Sequence, residues 1–156
     1  NREEYNQVEH ILRDAINRSW SDDLVELYGR VPADESTRQL TVADGWLKDR
    51  SRNATLLLTL GRLSLRGKLW GKARNYLEAS IGIEPTIAAY RALGALLERM
   101  DEKEQALACF KAGLELGNDH SRPIELPASL KLPAAESVPV SAADDEKPRL
   151  EVVNKS

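Results

Sequence analysis

The stretch Leu56–Pro85 reads LLLTLGRLSLRGKLWGKARNYLEASIGIEP. Its leucines and small residues recur at helical spacing, and the Gly-Lys-Leu-Trp-Gly break in its middle divides it into two short helices. Gly61 and Ala73 stand where two backbones would come close, because neither residue carries a bulky side chain. Pro85 ends the second helix, since proline cannot continue one. The stretch therefore predicts a helical hairpin.

The same pattern recurs along the first 118 residues. Gly29, Gly61 and Gly94 are 32 and 33 positions apart, and each is followed in the next helix by an alanine and, four positions later, a large apolar residue. A period of about 34 residues with these residue types at fixed offsets is the signature of the tetratricopeptide repeat (TPR). The best-matched repeat is 54–86, which supplies Leu57, Leu60, Gly61, Ala73, Leu77, Ser80 and Pro85.

The repeat pattern predicts an all-α fold, a right-handed TPR superhelix of about three and a half helical hairpins. It consists of a half repeat at 1–20 and full repeats at 22–53, 54–86 and 87–118, of which 22–53 has the loosest match. Asn53, Thr86 and either Ser21 or Asp22 are expected to cap the first helices. The predicted helices are 2–19, 22–31, 36–50, 54–66, 70–83, 87–99 and 103–116.

The remaining segment, 119–156, has a different composition. It holds five of the seven prolines and neither glycine nor aromatic residues. Such a segment buries too little apolar surface to offset its ordering entropy, so we predict a largely disordered C-terminal tail. No apolar run in the chain is long enough to cross a bilayer. Because the chain does not begin with Met, we expect it to be a piece of a longer protein.

Composition argues against several function classes. The net charge of −3 makes no case for nucleic-acid binding, and the single cysteine, Cys109, excludes an internal disulfide. His10 and His120 are expected to be solvated, and Cys109 is expected to be an inert, partly buried thiol. The sequence contains no phosphate-binding glycine loop and no metal-ligand spacing. We therefore predict a protein that is not an enzyme and has no cofactor, no metal site and no catalytic residue.

The first helix of each hairpin lines the concave groove of a TPR stack, and its polar positions are the candidate site. Five arginines face three acids there, and arginine forms two-pronged bonds to carboxylates and phosphates. The groove is therefore expected to bind a protein partner, such as an acidic peptide; the alternative is an ordinary solvated face with local salt bridges. The candidate partner-binding residues are Arg30, Thr55, Leu58, Arg62, Leu65, Arg66, Arg91, Glu98 and Arg99.

A more particular resemblance rests on LLLTLGRLSLRGKLWGKARNYLEASI, on the preceding Trp46-Leu-Lys and on SDDLVELYGR. These residues resemble the C-terminal repeat region of the HemY family, proteobacterial inner-membrane TPR proteins associated with haem biosynthesis. The resemblance implies a missing N-terminal membrane anchor and localisation at the bacterial inner membrane, with the repeats on the cytoplasmic face. It also implies a non-catalytic scaffold with haem-pathway enzymes among its partners.

Two other functions stay open on the sequence. A porphyrin- or haem-binding sensor would pair the arginines with propionates and place Leu58 and Leu65 under the macrocycle. An envelope assembly factor is the second, since membrane TPR proteins also serve in that process. A homo-oligomer is open as well, because an exposed terminal hairpin can pair with another copy.

Overall fold

The computed structural model describes residues 1–119, and every regular element in this range is an α-helix. The predicted tail therefore lies outside the described residues, apart from Asp119, which belongs to the last helix. The helices are α1 (Arg2–Arg18), α2 (Asp22–Arg30), α3 (Ser36–Trp46), α4 (Ala54–Arg66), α5 (Trp70–Ile83), α6 (Ile87–Arg99) and α7 (Lys103–Asp119).

Two helix ends differ from the prediction by three residues or more. Helix α3 ends at Trp46 instead of residue 50, because the backbone N–H of Leu47 bonds to Asp44 in a tighter turn and two further turns follow before α4. Helix α7 continues to Asp119, three residues past the predicted end. Asn118 stands where the repeat motif has proline, so no residue there stops the helix.

The predicted N-caps are confirmed. The side chains of Asn53 and Thr86 accept hydrogen bonds from the backbone N–H groups three residues later, at 2.8 and 3.1 Å, and Ser21 caps α2 in the same way at 3.4 Å. Each cap satisfies one backbone donor that the helix itself leaves unpaired. These polar residues therefore fix where α2, α4 and α6 begin.

The hairpins α4–α5 and α6–α7 meet at the predicted glycines. A Cβ atom built on Gly61 would lie 2.6 Å from Leu77 of α5, and one built on Gly94 would lie 2.6 Å from Phe110 of α7. Real Cβ atoms essentially never approach other atoms this closely, so no larger residue fits at either position without movement. Glycine at these two positions allows the paired helices to pack closely.

Repeat 22–53 is built differently from the other two. Gly29 of α2 faces Thr59 of α4, at 3.0 Å from a built Cβ, and not a side chain of α3. Both α2 and α3 pack mainly on α4, and the α2–α3 pair is more open than the other hairpins. This repeat therefore differs from the other two, in which the glycine faces the second helix of its own hairpin.

Helix α4 is at the centre of the packing. Its residues from Leu56 to Gly61 are all buried, because α2, α3, α5 and α6 all contact it. Two apolar clusters result, one centred on Tyr28, Leu56 and Leu60 and the other on Leu77 and the α6 leucines. Across residues 1–119, no helix is both long and apolar enough to cross a membrane.

Candidate functional site

Three of the predicted groove arginines lie together on the first helices of the repeats. Arg30 of α2, Arg62 of α4 and Arg91 of α6 are close enough for the first and last to act electrostatically on the middle one. The pKa of the Arg62 guanidinium is lowered, chiefly by burial and then by Arg30; Glu26 opposes this effect, and Arg91 adds the smallest lowering. We call Glu26, Arg30, Arg62 and Arg91 the arginine cluster.

The arginine cluster has one internal carboxylate for three guanidinium groups. Glu26 Oε1 lies 2.5 Å from Nη2 of Arg30 and 3.7 Å from Nη1 of Arg62, so it hydrogen-bonds to Arg30 and forms a longer ion pair with Arg62. Nη1 of Arg62 is shielded from solvent and has no hydrogen-bond partner within the described residues. Buried polar groups are normally satisfied, so this donor marks a position where an anionic oxygen would bind favourably.

Two predicted contact residues have internal roles instead. Leu58 is only 6% exposed and belongs to the apolar cluster that α5 and α6 cover. Arg66 donates hydrogen bonds to the carbonyl oxygens of Gly29 and Val31 at 2.7 and 2.8 Å, and burial lowers its pKa. Helical position alone predicts both as contact residues, and the structure corrects that prediction. Leu58 presents no free surface, and Arg66, although half-buried beside Leu65 and Arg99, has its guanidinium engaged by the backbone of α2 and of the following connection. Leu58 is also too deeply buried to lie under a porphyrin ring.

The other predicted residues do not join the arginine cluster into one site. Leu65 and Arg99 line a shallow depression at the C-terminal ends of α4 and α6, where the Arg99 guanidinium lies 5.8 Å from the centre of the Trp70 ring. Glu98 is exposed and forms no ion pair with any residue from 1 to 119. Thr55 is half-buried in the first turn of α4. Leu65 and Arg99 therefore line a second surface, further along α4 and α6 than Arg62 and Arg91.

Sequence reasoning missed a polar pocket beside α1. Glu9 is buried, accepts a hydrogen bond from the Tyr28 hydroxyl at 2.7 Å and contacts Arg13 Nη1 at 3.4 Å. The pKa of Tyr28 is raised, chiefly by burial and then by Glu9. Arg38 and Gln39 line the same pocket of about 400 Å³. The available signal was that Glu9 lies on the same helical face as two buried apolar residues, where a carboxylate requires a partner.

His10 and Cys109 have the environments predicted for them, and His120 lies outside the described residues. His10 is 61% exposed on α1 and faces Asp14. Cys109 is half-buried, and burial raises the pKa of its thiol, which disfavours the reactive thiolate. No group of three or more metal-ligating side chains occurs in the described part of the chain.

Comparison with known proteins bears on the fold. No protein-family model and no curated protein matches the chain. Among solved structures, the chain is similar to one titled "MamA MSR-1 C2", at 16% sequence identity and a TM-score of 0.58, over 75% of this chain and 70% of that chain. MamA is a TPR-type helical repeat protein. This likeness and the seven helices show the predicted all-helical TPR fold.

Proposed function

We propose that this chain is a non-catalytic scaffold that binds a protein partner through carboxylates seated on the arginine cluster. The observation that carries the proposal is the buried Nη1 of Arg62, which lacks a hydrogen-bond partner within residues 1–119 while Arg30 and Arg91 add positive charge around it. A carboxylate from outside would offset the repulsion among the guanidinium groups, and a rotation of the partly exposed Arg62 side chain would let its Nη1 donate to that carboxylate. The TPR fold agrees with this role, since it forms extended binding surfaces.

The site favours an acidic peptide over a small anion in water. Arg62 has a side-chain exposure of 21%, whereas that of Arg30 is 61%. A ligand must therefore reach one buried donor and one exposed donor, at positions contributed by different helices. A peptide with consecutive carboxylates spans such a surface and excludes water from the ion pairs as it binds.

Fluorescence polarisation with a labelled polyglutamate peptide tests the proposal. Arg62→Gln keeps a polar side chain but removes the charged fork, and hydrogen bonds to charged groups contribute about 1.5–3 kcal/mol. We therefore expect the affinity to fall by roughly tenfold or more. Arg52→Gln is the matched control, because Arg52 is exposed in the turn before α4, outside the arginine cluster. Equal affinities for wild type and Arg62→Gln would refute the role of the arginine cluster.

We further propose that the full-length protein belongs to the HemY family and works at the bacterial inner membrane beside haem-pathway enzymes. The support is the sequence resemblance through Trp46 and through the run from Leu56 to Ile81. The test is affinity purification of the tagged full-length protein from detergent-solubilised membranes, with an unrelated membrane TPR protein as control. Enrichment of haem-pathway enzymes over the control is the expected result; equal recovery would contradict this assignment and leave peptide binding unaffected.

A further inference from the structure

A second surface lies at the C-terminal edge of the repeats, where α6 begins and α7 ends. A mainly apolar groove of about 340 Å³ is lined there by Ile87, Phe110 and Leu114, with Arg91 at its rim. Gly113 and Gly117 of α7 face α6 and carry no side chain, so the groove stays open between the two helices. We call this surface the terminal groove.

The repeat register shows what kind of element such a groove accepts. Gly61 and Gly94 are 33 positions apart, so Phe110 and Leu114 correspond to Leu77 and Ile81 of the preceding repeat. Those two residues pack under α6, and Leu77 is completely buried. The terminal groove is therefore the repeat-equivalent of a surface that a helix covers one repeat earlier.

The terminal groove lies beside a protruding apolar ridge on the same helix. Leu107 and Leu114 are 69% and 70% exposed, the highest values among the exposed large apolar residues of 1–118. They are seven positions apart on α7, so they point in similar directions from the helix. The patch also carries both charges, with Arg91 at the rim and Glu115 exposed next to Leu114. The apolar ridge, the terminal groove and the two opposite charges thus lie on one surface. A second copy of the same surface could place its ridge in the groove and pair its charges, so the surface is complementary to itself.

We infer that a second copy of this chain occupies the terminal groove. The two α7 helices pack across a two-fold axis, each copy placing Leu114 in the other's groove and Glu115 near the other's Arg91. Two-fold pairing requires one patch that is self-complementary, and this patch combines a knob, a hole and both charges. The dimer removes Leu107 and Leu114 from water. In it, α7 of the second copy covers Phe110 and Leu114 as α6 covers Leu77 and Ile81 one repeat earlier. Arg91 belongs to both surfaces, but this inference rests on the apolar ridge and groove of α7 and does not require peptide binding by the arginine cluster.

Light scattering coupled to size-exclusion chromatography tests the inference on the full chain. At about 100 μM we expect wild type to be a dimer and Leu114→Glu to be a monomer, with at least tenfold weaker association, because the variant places a charge in an apolar groove. Leu27→Glu is the matched control, since Leu27 is also exposed on a helix, and it should dimerise as wild type does. Circular dichroism checks that both variants stay folded, which the exposure of Leu114 leads us to expect.

A disulfide experiment tests the geometry independently. In a Cys109→Ser background, Leu114→Cys should form a cross-linked dimer on mild oxidation, whereas Leu27→Cys should not. A monomeric wild type overturns the inference, even if some other protein is found to bind through Leu114. A dimer that survives Leu114→Glu, or that cross-links equally well through both cysteines, also overturns it. Since neither experiment alters Arg62, a failure here leaves the peptide-binding test unaffected.

Discussion

The sharpest test of the repeat packing is Gly61→Ala, at the contact between α4 and α5. The added Cβ would lie 2.6 Å from Cδ2 and 2.7 Å from Cγ of Leu77. Leu77 has no exposed surface, and Cγ is not the free end of its side chain, so the leucine cannot simply turn away. The two helices must therefore separate, or Leu77 must leave its preferred rotamer.

The size of the effect follows from two opposing terms. Overpacking a buried contact costs about 1–3 kcal/mol, and the two short contacts at Gly61 place it near the upper end. Alanine is favoured over glycine inside a helix by about 1 kcal/mol. We therefore expect the free energy of unfolding to fall by about 2 kcal/mol, which corresponds to a melting temperature lower by roughly 8 °C.

Urea unfolding followed by circular dichroism measures this loss. The matched control is Gly82→Ala, the same change in α5, where a built Cβ meets no atom within 4 Å. The control should be neutral or up to about 1 kcal/mol more stable. The reasoning is refuted if Gly61→Ala and Gly82→Ala have the same stability.

A double-mutant cycle confirms the physical cause. Leu77→Ala alone should cost about 2–5 kcal/mol, because it leaves a cavity in the core. Combined with Gly61→Ala, the loss should be about 3 kcal/mol smaller than the sum of the two single losses, since the new methyl group then has room and only its helix-favouring effect remains. Additive losses would show that the Gly61–Leu77 contact is not the source of the strain.

Two further predictions concern the hydrogen bonds between repeats. Arg66→Met should lower the free energy of unfolding by about 2 kcal/mol, because it leaves the carbonyl oxygen of Gly29 at the end of α2 without its charged donor and removes one of the three donors to Val31. Arg52→Met should change the free energy of unfolding little, and equal urea midpoints for the two variants would contradict this. Tyr76 has a pKa raised to about 12 from 10, first by burial and then by its hydrogen bond to Asp44, so the folded state holds this proton more tightly than the unfolded state. The stabilisation that this proton gives is complete below pH 10 and is lost as the pH rises towards 12. The free energy of unfolding, measured with urea, should therefore fall less steeply between pH 10 and 12 for Tyr76→Phe than for wild type. Identical pH dependences would refute the contribution of Tyr76.

Much of the fold could be read from local pattern because the relevant interactions are short in sequence. A cap satisfies donors three residues away, as at Asn53 and Thr86. A hairpin glycine meets a side chain 16 positions later, as Gly61 meets Leu77 and Gly94 meets Phe110. Residue type and spacing therefore carry the information for helices and hairpins.

The candidate site was predicted less completely, for a physical reason. Helical position identified Arg30, Arg62 and Arg91 as members of one surface, and the structure brings them together. The same criterion also selected Leu58 and Arg66. Helical position could not show that these two side chains are engaged inside the fold, because their partners come from α2, α5 and α6. Burial depends on what packs across a residue, and that is not encoded within its own helix.

The sequence by itself determined the period, the helices and the close contacts of the last two hairpins, since these depend on small residues and caps at fixed offsets. Only the tertiary structure decided that Gly29 packs on Thr59, that Arg66 donates to the α2–α3 connection and that Nη1 of Arg62 is left without a partner among residues 1–119. Each of these depends on the path of the chain through 31–53, where the repeat motif is loosest. Which distant residues come into contact depends on where the backbone turns. The residues of segment 31–53 favour no single turn strongly enough for the sequence alone to predict these contacts.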